Sequence, residues 1–457
     1  MIIDKFLWFC SLWPFLLIIK KIKLKKDLTA FDIFIFFNTV YFAFVPFISD
    51  TDYFGYGIPN VYYKIQTSNT ISCMLFYNVF IFFLSLLSLL WDKFWGRRYS
   101  IVNISLFLRG WYRKFEIRNR VLYLWWLLLI FEFYFRFISG EYHLEMINTD
   151  MLTQEAKQYL IFLTNISQPL RIILSIYLSV YLMKKRSFGK FGKIDYVTIL
   201  VFLLFIMTVP RTFQVEMLLS CILVFYAVNK EHILKKHYYK LFLISIALYF
   251  IVFPIFFFYR SSVEYYTREI NQSSYSILNI DAVDYVIAHN VKIEDNKDSR
   301  PTYLYTIFAK SFDYDKCGMG KYTSVALLYG LPAVIYPKKP QYGTEELFQN
   351  SLSNGIDTAD SLLLFSNMDY GSFLGPVFAS LIFTLLMSFW SKYHRLISLY
   401  FSNGLVDLFF VYQIITYSDR IETSPDDYVA RIVQSLLTIL FFYLVYILNK
   451  KVFRVKI

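Results

Sequence analysis

Apolar runs long enough to cross a hydrocarbon layer recur along the whole chain, and a soluble core has no use for so many of them. At roughly 17–25 residues per crossing, with shorter runs admitted, there are about eleven. They lie near 3–19, 30–48, 70–91, 121–138, 161–183, 194–209, 213–228, 241–258, 372–391, 396–416 and 431–448. Lysine and arginine collect in the stretches that follow alternate runs: 20–26, 93–120, 184–193, 230–240, 392–395 and 450–456. Basic clusters mark the cytoplasmic side of a membrane protein. The stretches between them carry acids instead, such as Asp50 and Asp52, Glu141 and Glu145, and Asp426 and Asp427. The expected fold is therefore all-α, a polytopic integral membrane protein with its N-terminus outside and its C-terminus in the cytoplasm. We expect one membrane-embedded domain over 1–457, with one large extracytoplasmic loop, 259–371, between the eighth and ninth spans.

Composition agrees. The chain is 57% hydrophobic and 21% aromatic, and its mean hydropathy is +0.45. A net charge of +12 raises the question of nucleic acid, but the cations fall in short clusters between apolar runs, which is orientation and not a binding face. Cys10, Cys73, Cys221 and Cys317 show neither a disulfide framework nor metal spacing. The first run has no basic start and no small-residue cleavage site, so it reads as a retained anchor. Two runs, Tyr196–Val209 and Val215–Val228, are short, and the bend Pro210-Arg211-Thr212-Phe213-Gln214 joins them. Such a pair either thins the bilayer or turns round inside protein beneath its outer surface.

The large loop has a polar stretch, Asn271–Arg300, and helix-like pieces at Tyr303–Ala309 and Val325–Leu331. Near its end stands Pro337-Lys338-Lys339-Pro340. Each proline fixes its own φ and pushes the preceding residue away from α, so two ammonium groups sit in a stiff, extended segment. A basic loop touching lipid headgroups is the plain alternative.

Arginines stand at the outer ends of successive spans, against the charge bias: Arg136, Arg171, Arg211, Arg260, Arg420 and Arg431. Snorkelling, or pairing with Glu132, Glu216 or Glu264, accounts for any one of them. As a set they suit an anion, because guanidinium forks match phosphate oxygens. Loop carboxylates Glu345, Glu346, Asp357, Asp360 and Asp369 are candidates for a general base. Asp50-Thr51-Asp52 and Asp313-Tyr314-Asp315 have the form of weak cation sites. No Walker A loop, dinucleotide fingerprint, nucleophile elbow or zinc motif occurs.

Taken in order, Val209-Pro210-Arg211-Thr212, Tyr259-Arg260, Pro337-Lys338-Lys339-Pro340 and Asn367-Met368-Asp369-Tyr370-Gly371 resemble the Wzy-type O-antigen and capsule repeat-unit polymerases, which are related in architecture to O-antigen ligases. The likeness spans residues 194–390, and Arg211 lacks the Gly/Ser lead-in common in that family. The resemblance implies a glycosyltransferase of the bacterial cytoplasmic membrane that joins polyprenyl-diphosphate-linked oligosaccharides at the outer face, without metal or other cofactor. It implies Arg211 and Arg260 at the diphosphate, with Asp360 as base. Lys338 and Lys339 would serve the second phosphate or the incoming sugar, and Arg136, Arg171 and Arg420 would add to substrate binding. Its partners would be the lipid-linked sugar, membrane lipids, and a chain-length regulator and flippase of the same pathway, with no nucleic acid. A ligase using the same donor, and a flippase that makes no bond, are the alternatives.

Overall fold

The computed structural model describes residues 2–48, 54–55, 62–63, 67–91, 101–115, 119–138, 146–147, 154–231 without 190 and 210, 274–275, 285, 288, 300–348 without 315–316, 332–335, 339 and 341, 361–400, and 404–435 without 422, 424 and 434. Among these the fold is helical, apart from two two-residue antiparallel ladders, Phe54–Gly55 with Tyr62–Tyr63 and Met146–Ile147 with Ser274–Tyr275. Three described helices are long and apolar enough to cross a membrane: Ala30–Ile48, Asn69–Trp91 and Leu362–Ser398. The eighth apolar run, 241–258, and most of the last, 431–448, lie outside the described residues. The chain gathers into two compact units, residues 1–104 with 298–457, and residues 105–297.

In the first unit the opening apolar run is not one rod. It forms α1 (Ile2–Cys10) and α2 (Trp13–Lys23), with Pro14 in the first turn of α2. Proline has no N–H to continue a ladder, so it belongs where a helix starts. Asn78 satisfies the break: its Oδ1 accepts Trp13 Nε1 at 2.9 Å and its Nδ2 donates to Ser11 Oγ at 2.8 Å. Next, α3 (Ala30–Thr39) opens on a capping box in which Asp32 accepts from the Thr29 backbone N–H and Thr29 Oγ1 accepts from the Asp32 N–H. Lys21 binds the same carboxylate at 2.5 Å, which ties the end of α2 to the start of α3. A π-turn over Val40–Phe44 leads into α4 (Val45–Ile48). The third run is α5 (Thr67–Trp91).

The second unit holds α6 (Ile104–Lys114), α7 (Asn119–Ile138), α8 (Gln154–Phe188), α9 (Lys193–Thr208) and α10 (Arg211–Asn229). Trp125 on α7 donates its indole N–H to Leu174 O on α8 at 3.0 Å, and its ring meets Phe202 of α9 edge-on. Back in the first unit, the loop folds as α11 (Arg300–Lys310), a 3₁₀ turn (Ser311–Asp313), α12 (Lys321–Gly330) and α13 (Thr344–Phe348). The two helix-like pieces expected there are α11 and the end of α12. The first is packed into the unit. Leu304, Tyr305, Ile307 and Phe308 are buried, with Tyr305 edge-on to Trp8 and Phe308 edge-on to Phe42 and Phe76.

The ninth run is α14 (Leu362–Tyr400), and α15 (Gly404–Asp419) follows it. Helix α14 begins ten residues before the expected span, so Asn367–Tyr370 is helical and not loop. The helix bends at Gly371, whose φ of 72° and ψ of 177° belong to glycine alone. Below the bend α14 packs on α3 and α5, with Phe383 stacked on Phe34 at 3.8 Å. A Cβ on Gly371 would stand 2.6 Å from Cys317 Sγ. Gly371→Ala is therefore expected to lower stability by about 1–3 kcal/mol from the backbone alone. Adding Cys317→Ala should recover the steric part only, as thermal unfolding of the purified variants would show.

Candidate functional site

The Pro337–Pro340 segment hangs between two fixed points in the first unit. Its leading strut is α12, and the carboxylate of Asp369 holds the N-terminus of that helix. Oδ1 of Asp369 accepts the N–H groups of Gly320 (2.9 Å) and Tyr322 (3.1 Å), while Oδ2 accepts the N–H of Thr323 (2.9 Å) and its hydroxyl (2.5 Å). A helix start offers orphan N–H donors and a positive dipole end, so a carboxylate there is held strongly. Main-chain bonds from Gly318 to Met368 O and from Met319 to Asp369 O complete the junction. Asp369 was one of the candidate bases. Fully buried and accepting four hydrogen bonds, it acts as a helix cap.

The surroundings are tuned accordingly. Burial raises the Tyr322 phenol above its ordinary pKa, with Tyr314 and Asp369 adding in the same direction. Burial lowers the Lys310 ammonium, partly offset by Asp313. Asp313 in turn accepts Asn69 Nδ2 at 2.6 Å.

The trailing point is Asp426, in the stretch after α15. Its Oδ1 accepts the Thr344 hydroxyl at 2.5 Å, and both side chains are buried. Two glycines let the chain come this close. A Cβ on Gly330 would stand 2.6 Å from Asp426 O, and one on Gly343 would stand 2.8 Å from Asp426 Oδ2. The segment between Gly330 and Gly343 thus leaves against the main-chain carbonyl of Asp426 and returns against its carboxylate. Lys338 is exposed at its tip. Arg420, half-buried, follows directly on α15, its N–H bonded to Thr416 O. Lys338 and Arg420 are thereby carried by two stretches that meet at Asp426. Lys339 and Asp360 lie outside the described residues.

The second unit carries the other arginines. Arg171 on α8 is fully buried, with Nε 2.8 Å from Glu132 Oε1 of α7 and its guanidinium carbon 4.4 Å from the centre of the Phe213 ring of α10. Glu132 is one of the three acids expected as partners for these arginines, and for Arg171 that pairing is present. Arg136 lies one turn beyond Glu132 on α7, and Arg211 is the first residue of α10. The side chains of both, and all of Arg260, lie outside the described residues.

No protein-family model, curated protein or solved structure matches this chain.

What the sequence reading missed is the latch. Prolines stiffen the lysine segment, and Gly330 and Gly343 bracket it and allow its ends to close. That pair of glycines was the available signal. Asp426 and Thr344, some eighty residues apart, gave none.

Proposed function

We propose that the protein polymerises polyprenyl-diphosphate-linked oligosaccharide repeat units at the outer face of the bacterial cytoplasmic membrane. The growing chain on its lipid diphosphate is the donor. The terminal hydroxyl of a new lipid-linked repeat attacks the donor's anomeric carbon, the bond from that carbon to the diphosphate oxygen breaks, and a carboxylate takes the hydroxyl proton. Charge gathers on the leaving diphosphate, and cations fixed in advance where water is scarce stabilise it most in the transition state. Arg211 and Arg260 are assigned to that charge, Lys338, Lys339 and Arg420 to the second phosphate and the incoming sugar, and Asp360 to the proton. Arg136 and Arg171 are assigned to substrate. Neither a metal nor a nucleotide is required, because the activated bond arrives already made.

One observation supports this above others: the lysine segment is closed at both ends on the stretch that carries Arg420. A lysine that only touched headgroups would need no such anchorage.

Removing one cation from such a site costs roughly a hundredfold to a thousandfold in rate. Arg211→Ala and Arg260→Ala are therefore expected to give normally inserted protein in a host whose surface glycan stops at one repeat unit. The check is the length distribution of that glycan on a gel. Full-length chains in both variants would remove the diphosphate assignment. Deletion separates the alternatives: repeats trapped on the cytoplasmic leaflet mean a flippase, and long lipid-linked chains never transferred onward mean a ligase.

A further inference from the structure

At the break in α14 the first unit turns out two large apolar side chains for which the proposed chemistry has no use. Met319 is 84% exposed and Phe373 is 88% exposed. Main-chain hydrogen bonds tie both to the same helix end. In an unbroken helix Met368 O would accept the N–H of residue 372, and Asp369 O that of residue 373. Here the two carbonyls take the N–H groups of Gly318 (2.9 Å) and Met319 (2.7 Å) instead, across the break at Gly371. The 317–320 turn thus stands against the last carbonyls before the break, and Phe373 resumes the helix just past it.

Met319 is badly suited to an aqueous turn. Its φ is 51°, and Gly320 follows at 88°. Glycine and asparagine adopt such left-handed backbone readily, and a long apolar residue does so at a cost. In the sequence the tip Cys317-Gly318-Met319-Gly320 lies between Asp315-Lys316 and Lys321, and Lys321 is exposed. An apolar tip with an ammonium beside it suits a segment that dips into a lipid surface, the apolar group among acyl chains and the charge among headgroups. What covers the pair can be read from the helix they adjoin. Helix α14 is long and apolar enough to cross a membrane. Past the break it exposes Leu374, Leu381, Leu385, Phe389 and Leu396. Their spacings of seven, four, four and seven residues average close to the helical repeat, so they lie on one face. On a crossing helix, acyl chains cover such a face. Leu374 tops the stripe and Phe373 is its neighbour, so the lipid-facing surface reaches the break itself.

We propose that Met319 and Phe373 insert among the acyl chains of the bilayer at this end of α14, and so hold the start of α12 at the membrane surface. The insertion depends on the span and not on the reaction proposed above. The test uses the full-length protein in phosphatidylcholine nanodiscs, with Cys10, Cys221 and Cys317 replaced by serine and the buried Cys73 kept. A nitroxide is attached at Met319→Cys or at Phe373→Cys. Its collisions with oxygen, which concentrates among acyl chains, and with a neutral nickel chelate, which stays in water, are read by power saturation. Both labels are expected to give the ratio of a phosphatidylcholine that carries its nitroxide on the acyl chain, shifted away from that of a free nitroxide in water. A water-like ratio at either position would overturn the insertion. So would few collisions with both reagents, which marks a side chain covered by protein. Phe373→Trp in the otherwise native chain gives a second reading without labels. Brominated phosphatidylcholine is expected to quench the emission that the added tryptophan contributes, and unquenched added emission would overturn the insertion at Phe373.

Discussion

Replacing Glu132 with alanine is expected to destabilise the second unit by about 3–5 kcal/mol, the cost of removing one partner of a buried ion pair. The Arg171 guanidinium would keep its full burial between α7, α8 and the Phe213 ring and lose the carboxylate 2.8 Å from its Nε. The guanidinium stays charged at any physiological pH, so its burial without that carboxylate is what destabilises the unit. The reciprocal change, Arg171→Ala, should cost a similar amount. Replacing both by methionine is expected to recover most of the loss, because it removes the desolvation of both ions together. Denaturation of the four proteins in one detergent, with the amount of inserted protein alongside, gives the comparison. It also bears on the proposed reaction. If Arg171 serves substrate as well as Glu132, the double methionine variant will be stable and still make short glycan. If the pair is structural alone, that variant will make long glycan.

The second large effect is expected at Asp369. Alanine there removes the acceptor from three backbone N–H groups and one hydroxyl at the start of α12. Loss of an ordinary helix cap costs about 1 kcal/mol, but buried donors left without an acceptor add about 1–3 kcal/mol more. A total of about 3 kcal/mol is expected. Asparagine keeps one acceptor oxygen and should cost less. The consequence reaches beyond stability, since α12 is the strut that delivers the lysine segment to Asp426. Limited proteolysis should therefore cut Asp369→Ala between residues 331 and 342 at a protease concentration that leaves the wild type whole. Equal cleavage of the two would show that α12 is held by other means.

Much of the fold was legible because hydropathy is a local property. The apolar runs at 30–48, 70–91, 121–138 and 194–209 coincide with helices to within a few residues, as does α10 with its run, whereas the run expected at 396–416 begins inside α14 and continues as α15 only from Gly404. The departures come from residues whose meaning depends on distant partners. Pro14 interrupts the first run, yet an apolar average passes straight over it. Gly371 bends α14 because Cys317 and the Gly318 turn need the room, and neither is near it in sequence. Charge was legible as a list of positions and not as pairs. Arg171 stood out as an arginine in an apolar run, but only the packing of α7 on α8 names Glu132 as its partner. Asp369 was seen as a carboxylate, and its work as a cap depends on the α12 N-terminus folding back onto it. The candidate site was read through its cations, which sequence displays, while its architecture rests on Asp426, Thr344 and two glycines.

The break between α1 and α2 bears on the order in which the chain completes its fold. Trp13 and Ser11 find their shared side-chain partner at Asn78, 65 and 67 residues further along the chain. A ribosome releases residues in order, so the side chains at the break between α1 and α2 must wait for that partner while α3, α4 and about the first half of α5 are synthesised. Their final seating is a late event in biogenesis, and arresting translation before codon 78 should leave the amino-terminal segment extractable by alkali.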